Sequence, residues 1–132
     1  MIKAQILQIL ERDGVGCYKF QISGTDAVIY MLALGDHSHL REGLNVRLNF
    51  KSSDVIIATS KLQNCSIRNE LPCKILKISK GEILSVIHLK FAQFEFESII
   101  SSLSCNELNL NEGDSVFAYI KSTCVHISGI DD

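Results

Sequence analysis

A chain of 132 residues with 46% hydrophobic content has room for one ordinary domain or two very small ones, and is too apolar to be disordered. Its 13 Lys and Arg against 15 Asp and Glu leave a formal net charge of -2, which excludes a general attraction to nucleic acid or to an anionic membrane surface, so any anion must be caught locally. The opening MIKAQILQILER has no secretory signal and no apolar run approaches the ~20 residues of a spanning helix, so a cytoplasmic protein without a membrane partner is expected. The cysteines (Cys17, Cys65, Cys73, Cys105, Cys124) are odd in number and form no CxxC pair, which points to neither a disulfide framework nor a zinc site.

In chain order, AQILQIL, VGCYKFQI and AVIYML are β-branched, alternating segments separated by the turn signals Asp13-Gly14 and Ser23-Gly24. HSHLREG then predicts a short helix, and LNVRLNFKSSDVIIAT a last strand long enough to pair twice. After the polar linker SKLQNCS the series repeats: CKILKI, the turn at Lys80-Gly81, ILSVIHLKF, FEFESIIS, a short helix in SCNELNLNEG, and SVFAYIKSTCVHIS. In that second helix Ser104 is placed to cap the start and Gly113 to supply a left-handed stop.

The two series are copies of one unit. Leu40, Glu42, Gly43, Val46, Lys51, Ser52, Val55 and Ile57 recur at a constant offset of 70 residues as Leu110, Glu112, Gly113, Val116, Lys121, Ser122, Val125 and Ile127. ILQI and ILKI match at an offset of 69, which places one inserted residue between, near 23–27 or 92–97. The expected fold is mainly β: two tandem five-stranded barrels of oligonucleotide-fold type, each with one short helix, over 1–60 and 65–130. Units this small bury little apolar surface, so further subunits are expected to complete the core.

Two stretches carry chemistry. In the last strand IKSTCV interrupts the alternation with Lys121, Ser122 and Thr123, and FKSSDV does so with Lys51 and Ser52. On a regular strand Lys121 and Ser122 face opposite ways, whereas a bulge there would turn the ammonium, the hydroxyls and backbone N–H groups to one spot. Alone, such a triplet also reads as a solvated strand edge protected by lysine. The second stretch, CSIRNELP, offers Ser66, Arg68 and Asn69 before the first carboxylate at Glu70, and alone reads first as a polar linker with a serine turn. Together they make chemical sense: a tetrahedral dianion has only acceptors, so its site should hold hydroxyls, backbone N–H groups and one or two cations, without a carboxylate nearby.

With those residues in view, SIRNELPCKILKISKGEILSVIHLKF followed by ESIISSLSCNELNLNEGDSVFAYIKSTCV resembles the molbindin, or Mop-like TOBE, domains that bind molybdate and tungstate. An S-x-R-N opening, an I-[IV]-[ST] strand, an L-x-x-G helix end and a closing I-K-[SA]-[ST]-x-V strand occur in that order over 66–128. The resemblance implies that Ser66 and Arg68, with the backbone of Ile67, meet Lys121 and Ser122 across a domain or subunit boundary around molybdate or tungstate as the bound ligand. It places Ser101 and Ser104 in a third contact segment. The first copy starts at Met1 without S-x-R-N, so Lys51 and Ser52 either complete a second site with Ser66 and Arg68 of another copy or are structural.

By the same resemblance the chain is expected to be a homo-oligomer that binds, stores and buffers the oxyanion inside the cell. The alternative is a sensing module acting with a separate transcription or transport partner. Single-stranded nucleic acid is a further reading of another class, set against it by Lys90, Glu95 and Glu97 around Phe91, Phe94 and Phe96, which make no cationic groove. His37 and His39 read as solvated surface, His88 and His126 as strand residues without a metal-ligand set, and no catalytic constellation marks an enzyme.

Overall fold

The computed structural model describes residues 1–131. Its strands are β1 (Ile2–Arg12), β2 (Val15–Ile22), β3 (Val28–Leu34), β4 (Asn45–Asn49), β5 (Ile56–Ala58), β6 (Asn69–Lys80), β7 (Leu84–Phe91), β8 (Phe94–Ser101), β9 (Ser115–Ile120) and β10 (His126–Ile130), with one helix, α1 (Ser102–Glu107). They form two five-stranded sheets, ordered β10-β4-β1-β2-β3 and β5-β9-β6-β7-β8. The mainly β architecture of two five-stranded units expected from the alternation is therefore present, with a helix in the second alone.

In the first unit, alternation carries Ile2, Ala4 and Ile6 of β1, Tyr18, Phe20 and Ile22 of β2, and Val46 and Leu48 of β4 to one buried face. The second unit repeats this with Leu71, Cys73 and Ile75 of β6, Ile87 and Leu89 of β7, and Val116 and Ala118 of β9. Each first strand shifts register at the same place, between Ile6 and Gln8 and between Ile75 and Lys77. There Ile6 accepts from the Gly43 N–H at 2.7 Å and donates to the Leu44 carbonyl at 2.9 Å; Ile75 accepts from Gly113 at 2.7 Å and donates to Asp114 at 2.9 Å. Gly43 and Gly113 stand at φ 90 and 88, a left-handed turn in which a Cβ would be strained. The carboxylates of Glu42 and Glu112 then accept from the N–H groups of Ile9 and Ile78. The repeated Glu-Gly pair thus serves the bulge, satisfying backbone that the bulged ladder leaves open.

Three local expectations change. HSHLREG forms turns, with Leu40 N–H on the His37 carbonyl, and no helix. The connection from Leu34 to Asn45 is three residues shorter than that from Ser101 to Ser115, and its Gly35 and Gly43 are both left-handed, so its residues are used up in turning. The inserted residue proves to be the net of this lengthening and of a hairpin two residues shorter, Lys90 to Glu95 against Gln21 to Val28. In α1 the cap is Ser101, whose hydroxyl accepts from Ser104 N–H, and the left-handed stop is Asn109 at φ 51; Gly113 serves the bulge contact instead.

The interruption in the last strand is a 3-10 turn, Ser52–Asp54 in one copy and Ser122–Cys124 in the other, neither a regular strand nor a bulge. Asp54 N–H returns to the Lys51 carbonyl at 2.9 Å and Cys124 N–H to Lys121 at 2.9 Å. Beyond it β5 pairs with β9, and β10 with β4, so the end of each repeat completes the sheet built by the other repeat. The compact units are accordingly Met1–Phe50 with residue 121 onward, and Lys51–Ile120; they do not coincide with the repeats 1–60 and 65–130. Val55 and Val125 are both buried, at 2% and 3% exposure, and the two segments are so alike that local pattern cannot say which sheet edge each joins.

Gly16 lies against the buried ring of Tyr18, and a Cβ there would meet the ring at 2.6 Å. Gly16→Ala should lower stability by about 1–3 kcal/mol through overpacking; urea denaturation at equilibrium checks this, and an unchanged midpoint would show that the ring moves freely.

Candidate functional site

Within the second unit, the Lys51–Asp54 turn and the 65–68 stretch enter the sheet at the same end. Tyr119 of β9 is flanked by Ile56 of β5 and Glu70 of β6 in one row, and Ile120 pairs with Asn69 at the edge of the next. The two approaches therefore lie on either side of β9, about two strand spacings or 10 Å apart. The turn is held down by the buried Ser98 hydroxyl, which donates to the Val55 carbonyl at 2.7 Å. Lys51, Ser66 and Arg68 are exposed, while Ser52 and Ile67 are half-buried.

Arg68 stands two residues from Glu70, and an unengaged carboxylate there would compete with any anion for the guanidinium. Glu70 is instead occupied: Tyr119 donates its hydroxyl at 2.7 Å, Lys61 stands at 3.0 Å, and the Tyr119 oxygen accepts from Leu62 N–H at 2.9 Å. The Tyr119 bond, then that of Lys61, holds the Glu70 carboxyl below the ordinary carboxylate range, and the Tyr119 phenol is raised, first by burial. Arg68 itself makes no ion pair among the described residues.

The sequence treats the two Lys-Ser turns as equivalents, but the residue that closes each separates them. Asp54 places a carboxylate inside the Lys51 turn, whereas Cys124 stands there in the Lys121 turn, which has no acid. Only Lys121-Ser122-Thr123 is donor-only. These three residues belong to the first unit, packed against β3, with Lys121 and Thr123 exposed and Ser122 half-buried; Lys51, Ser52, Ser66, Ile67, Arg68, Ser101 and Ser104 belong to the second.

Ser101 and Ser104 bond to each other at the start of α1, hydroxyl to hydroxyl at 2.9 Å and N–H to hydroxyl at 3.0 Å. Leu84 pairs with Ser101 and Ser85 with Lys80, so these serines lie at the Lys80 end of the sheet, opposite Asn69. Measured along β6 that is on the order of 35 Å at a strand's rise per residue. One second unit therefore does not gather them with Ser66 and Arg68.

Two arrangements escaped the sequence. The Tyr119-Glu70-Lys61 network joins residues far apart in the chain, and its only local sign was the unexplained acid in NELP. Ser79, His88 and Glu97 form a serine-histidine-acid row across β6, β7 and β8, at 3.2 and 3.1 Å, where serial order gave no hint. Ser79 lies within the ladder opposite Val86, so the backbone beside the hydroxyl is committed to the sheet and the row orders a half-buried imidazole.

Tyr119→Phe should cost about 1–3 kcal/mol, since it strips Glu70 and the Leu62 N–H of a partner. Because the Glu70 carboxyl is lowered on folding, its contribution is complete above the ordinary value of 4.5 and fades as pH falls through the folded value. Glu70→Gln should thus flatten the loss of stability below about pH 4.5 in acid denaturation, and an identical acid limb would refute the network's role.

The family that matches is the TOBE domain, over residues 65–127. Among curated proteins, the molybdenum import ATP-binding protein ModC of Rhizobium etli is 38% identical over 87 residues, 65% of this chain and 24% of that protein. Its counterpart in Brucella abortus is 32% identical over 92 residues, 69% of this chain and 26% of that protein. The chain spans about a quarter of the length of these relatives. A solved structure described as the cytoplasmic molybdate-binding protein ModG, with molybdate bound, superposes with a TM-score of 0.90 at 21% identity, covering 98% of this chain and 94% of that one. At that identity the likeness is one of fold, and it extends over both copies.

Proposed function

We propose, from the match of residues 65–127 to the TOBE domain, that the chain binds molybdate or tungstate and serves as a cytoplasmic store that buffers the oxyanion, without catalysis. The observation that carries this reading is the donor-only character of its two stretches. Lys121 and Ser122, with Thr123, supply one charge and hydroxyls in a turn without an acid; Ser66, the Ile67 backbone and Arg68 supply another charge beside a carboxylate already bound by Tyr119 and Lys61. An MoO₄²⁻ ion offers acceptors alone and matches such a set. The ModG and ModC names support the choice of ion.

Ser101 and Ser104, at the far end of the second sheet from Arg68, join this reading as donors contributed by a second copy of the chain. The exposed apolar rows support such association. Leu10, Cys17 and Leu32 are side-by-side neighbours on β1, β2 and β3, with Leu10 62% and Leu32 42% exposed. Lys51 and Ser52 remain a possible second half-site in the scheme, handicapped by Asp54. The ModC relatives favour a second reading, a module that reports oxyanion level to a transport partner.

Titration calorimetry with molybdate, tungstate and sulfate tests the ligand. Saturable heat is expected with the two metal oxyanions, Arg68→Ala and Lys121→Ala each weakening it by about tenfold or more, the loss of a charge-assisted bond. Cys124→Asp, which gives the second turn the acid of the first, should weaken it too, while sulfate binding as tightly as molybdate would sink the assignment. For association, Leu10→Glu with Leu32→Glu should shift sedimentation at micromolar concentration toward the monomer; a wild-type chain that is already monomeric would contradict the shared-site scheme.

A further inference from the structure

The first unit contains a cleft of about 610 Å³ between β3, the connection that follows it, and the turn leading into β10. This lies in the range of small-molecule sites. In the second unit α1 packs on β7 and β8 and buries Ser102 and Cys105 there. The first unit's shorter connection makes no helix, and the space beside β3 stays open.

The lining divides by chemistry. Met31, Leu40 and Val125 form an apolar floor, all three buried. The polar groups are the Thr123 hydroxyl and three of the chain's four histidines, His37, His39 and His126; no Asp, Glu, Lys or Arg lines it. His37 is fixed: its Nε2 bonds the Leu34 carbonyl at 3.1 Å and its ring stands edge-on to Tyr18, with centroids 5.8 Å apart. His39 tilts against it with centroids 6.1 Å apart, and neither the His39 nor the His126 imidazole makes a hydrogen bond among the described residues. Asp36, next in the chain to His37, spends one carboxylate oxygen on the Ser38 N–H at 2.9 Å. No group of three His, Cys, Asp or Glu among the described residues has a metal-holding arrangement. Imidazoles without a metal partner, over an apolar floor, suit a ligand that is half anion and half hydrocarbon: the ring N–H groups donate to the anion and the floor takes the hydrocarbon.

We propose that this cleft binds a small organic anion with an apolar body, its carboxylate or sulfonate held by His39 and His126 and its hydrocarbon part lying on Met31, Leu40 and Val125. This is a second site, distinct in ligand class from the oxyanion site. The titratable groups that face the imidazoles are Tyr18, against His37, and Asp36, beside His37 and His39.

Anilinonaphthalene sulfonate titrated into the intact chain at about pH 6 should give saturable fluorescence that decanoate displaces and decanol does not. His39→Ala with His126→Ala, both exposed positions, should weaken decanoate by about tenfold or more, and molybdate calorimetry of the same variant should match wild type. Leu34→Glu, at an exposed rim position of the cleft, should weaken it as well by placing a like charge beside the anion. Absence of saturable binding, decanol competing as well as decanoate, or affinity indifferent to these variants would each overturn the site.

Discussion

One backbone hydrogen bond, made twice, governs this molecule: Asp54 N–H to the Lys51 carbonyl, and Cys124 N–H to the Lys121 carbonyl. It closes a single 3-10 turn at the point where a long strand would otherwise run on. Because the chain is redirected there, β5 becomes the edge of the sheet built by the second repeat and β10 the edge of the sheet built by the first. Each turn also puts a lysine and a serine at the mouth of a sheet rather than on opposite faces of a strand. The break that shares strands between repeats is thus the same break that presents donors.

The second constraint is the bulge in each first strand, where left-handed Gly43 and Gly113 approach Ile6 and Ile75 and the neighbouring glutamates take up the next free N–H. It explains why an acid recurs in both copies of a chain whose proposed ligand is an anion. Glu42, Glu112 and Glu70 are all engaged by N–H or O–H donors, so most of the acids nearest to the chemistry serve the backbone or a tyrosine. Asp54 is the exception, and it makes two turns of nearly identical sequence chemically unequal.

Divergence between the copies is concentrated in one connection. The connection between β3 and β4 is three residues shorter than its counterpart and forms no helix, and it borders a cleft over buried Met31, Leu40 and Val125 that three imidazoles line.

The sequence by itself determined the strands, the duplication, the two donor stretches and the family resemblance, because alternation and ordered motifs are local properties of the chain and each residue carries its own share of the signal. It did not determine which sheet a terminal strand joins: Val55-x-Ile57 and Val125-x-Ile127 satisfy either edge equally, and only the packed structure chooses. It did not show that Tyr119 and Lys61 engage the acid near Arg68, that Ser101 and Ser104 lie at the other end of the sheet from Arg68, or that His126 shares a cleft with His37 and His39. Those facts depend on strand register and on residues far apart in the chain, and contact over such separations is settled only when the whole core closes.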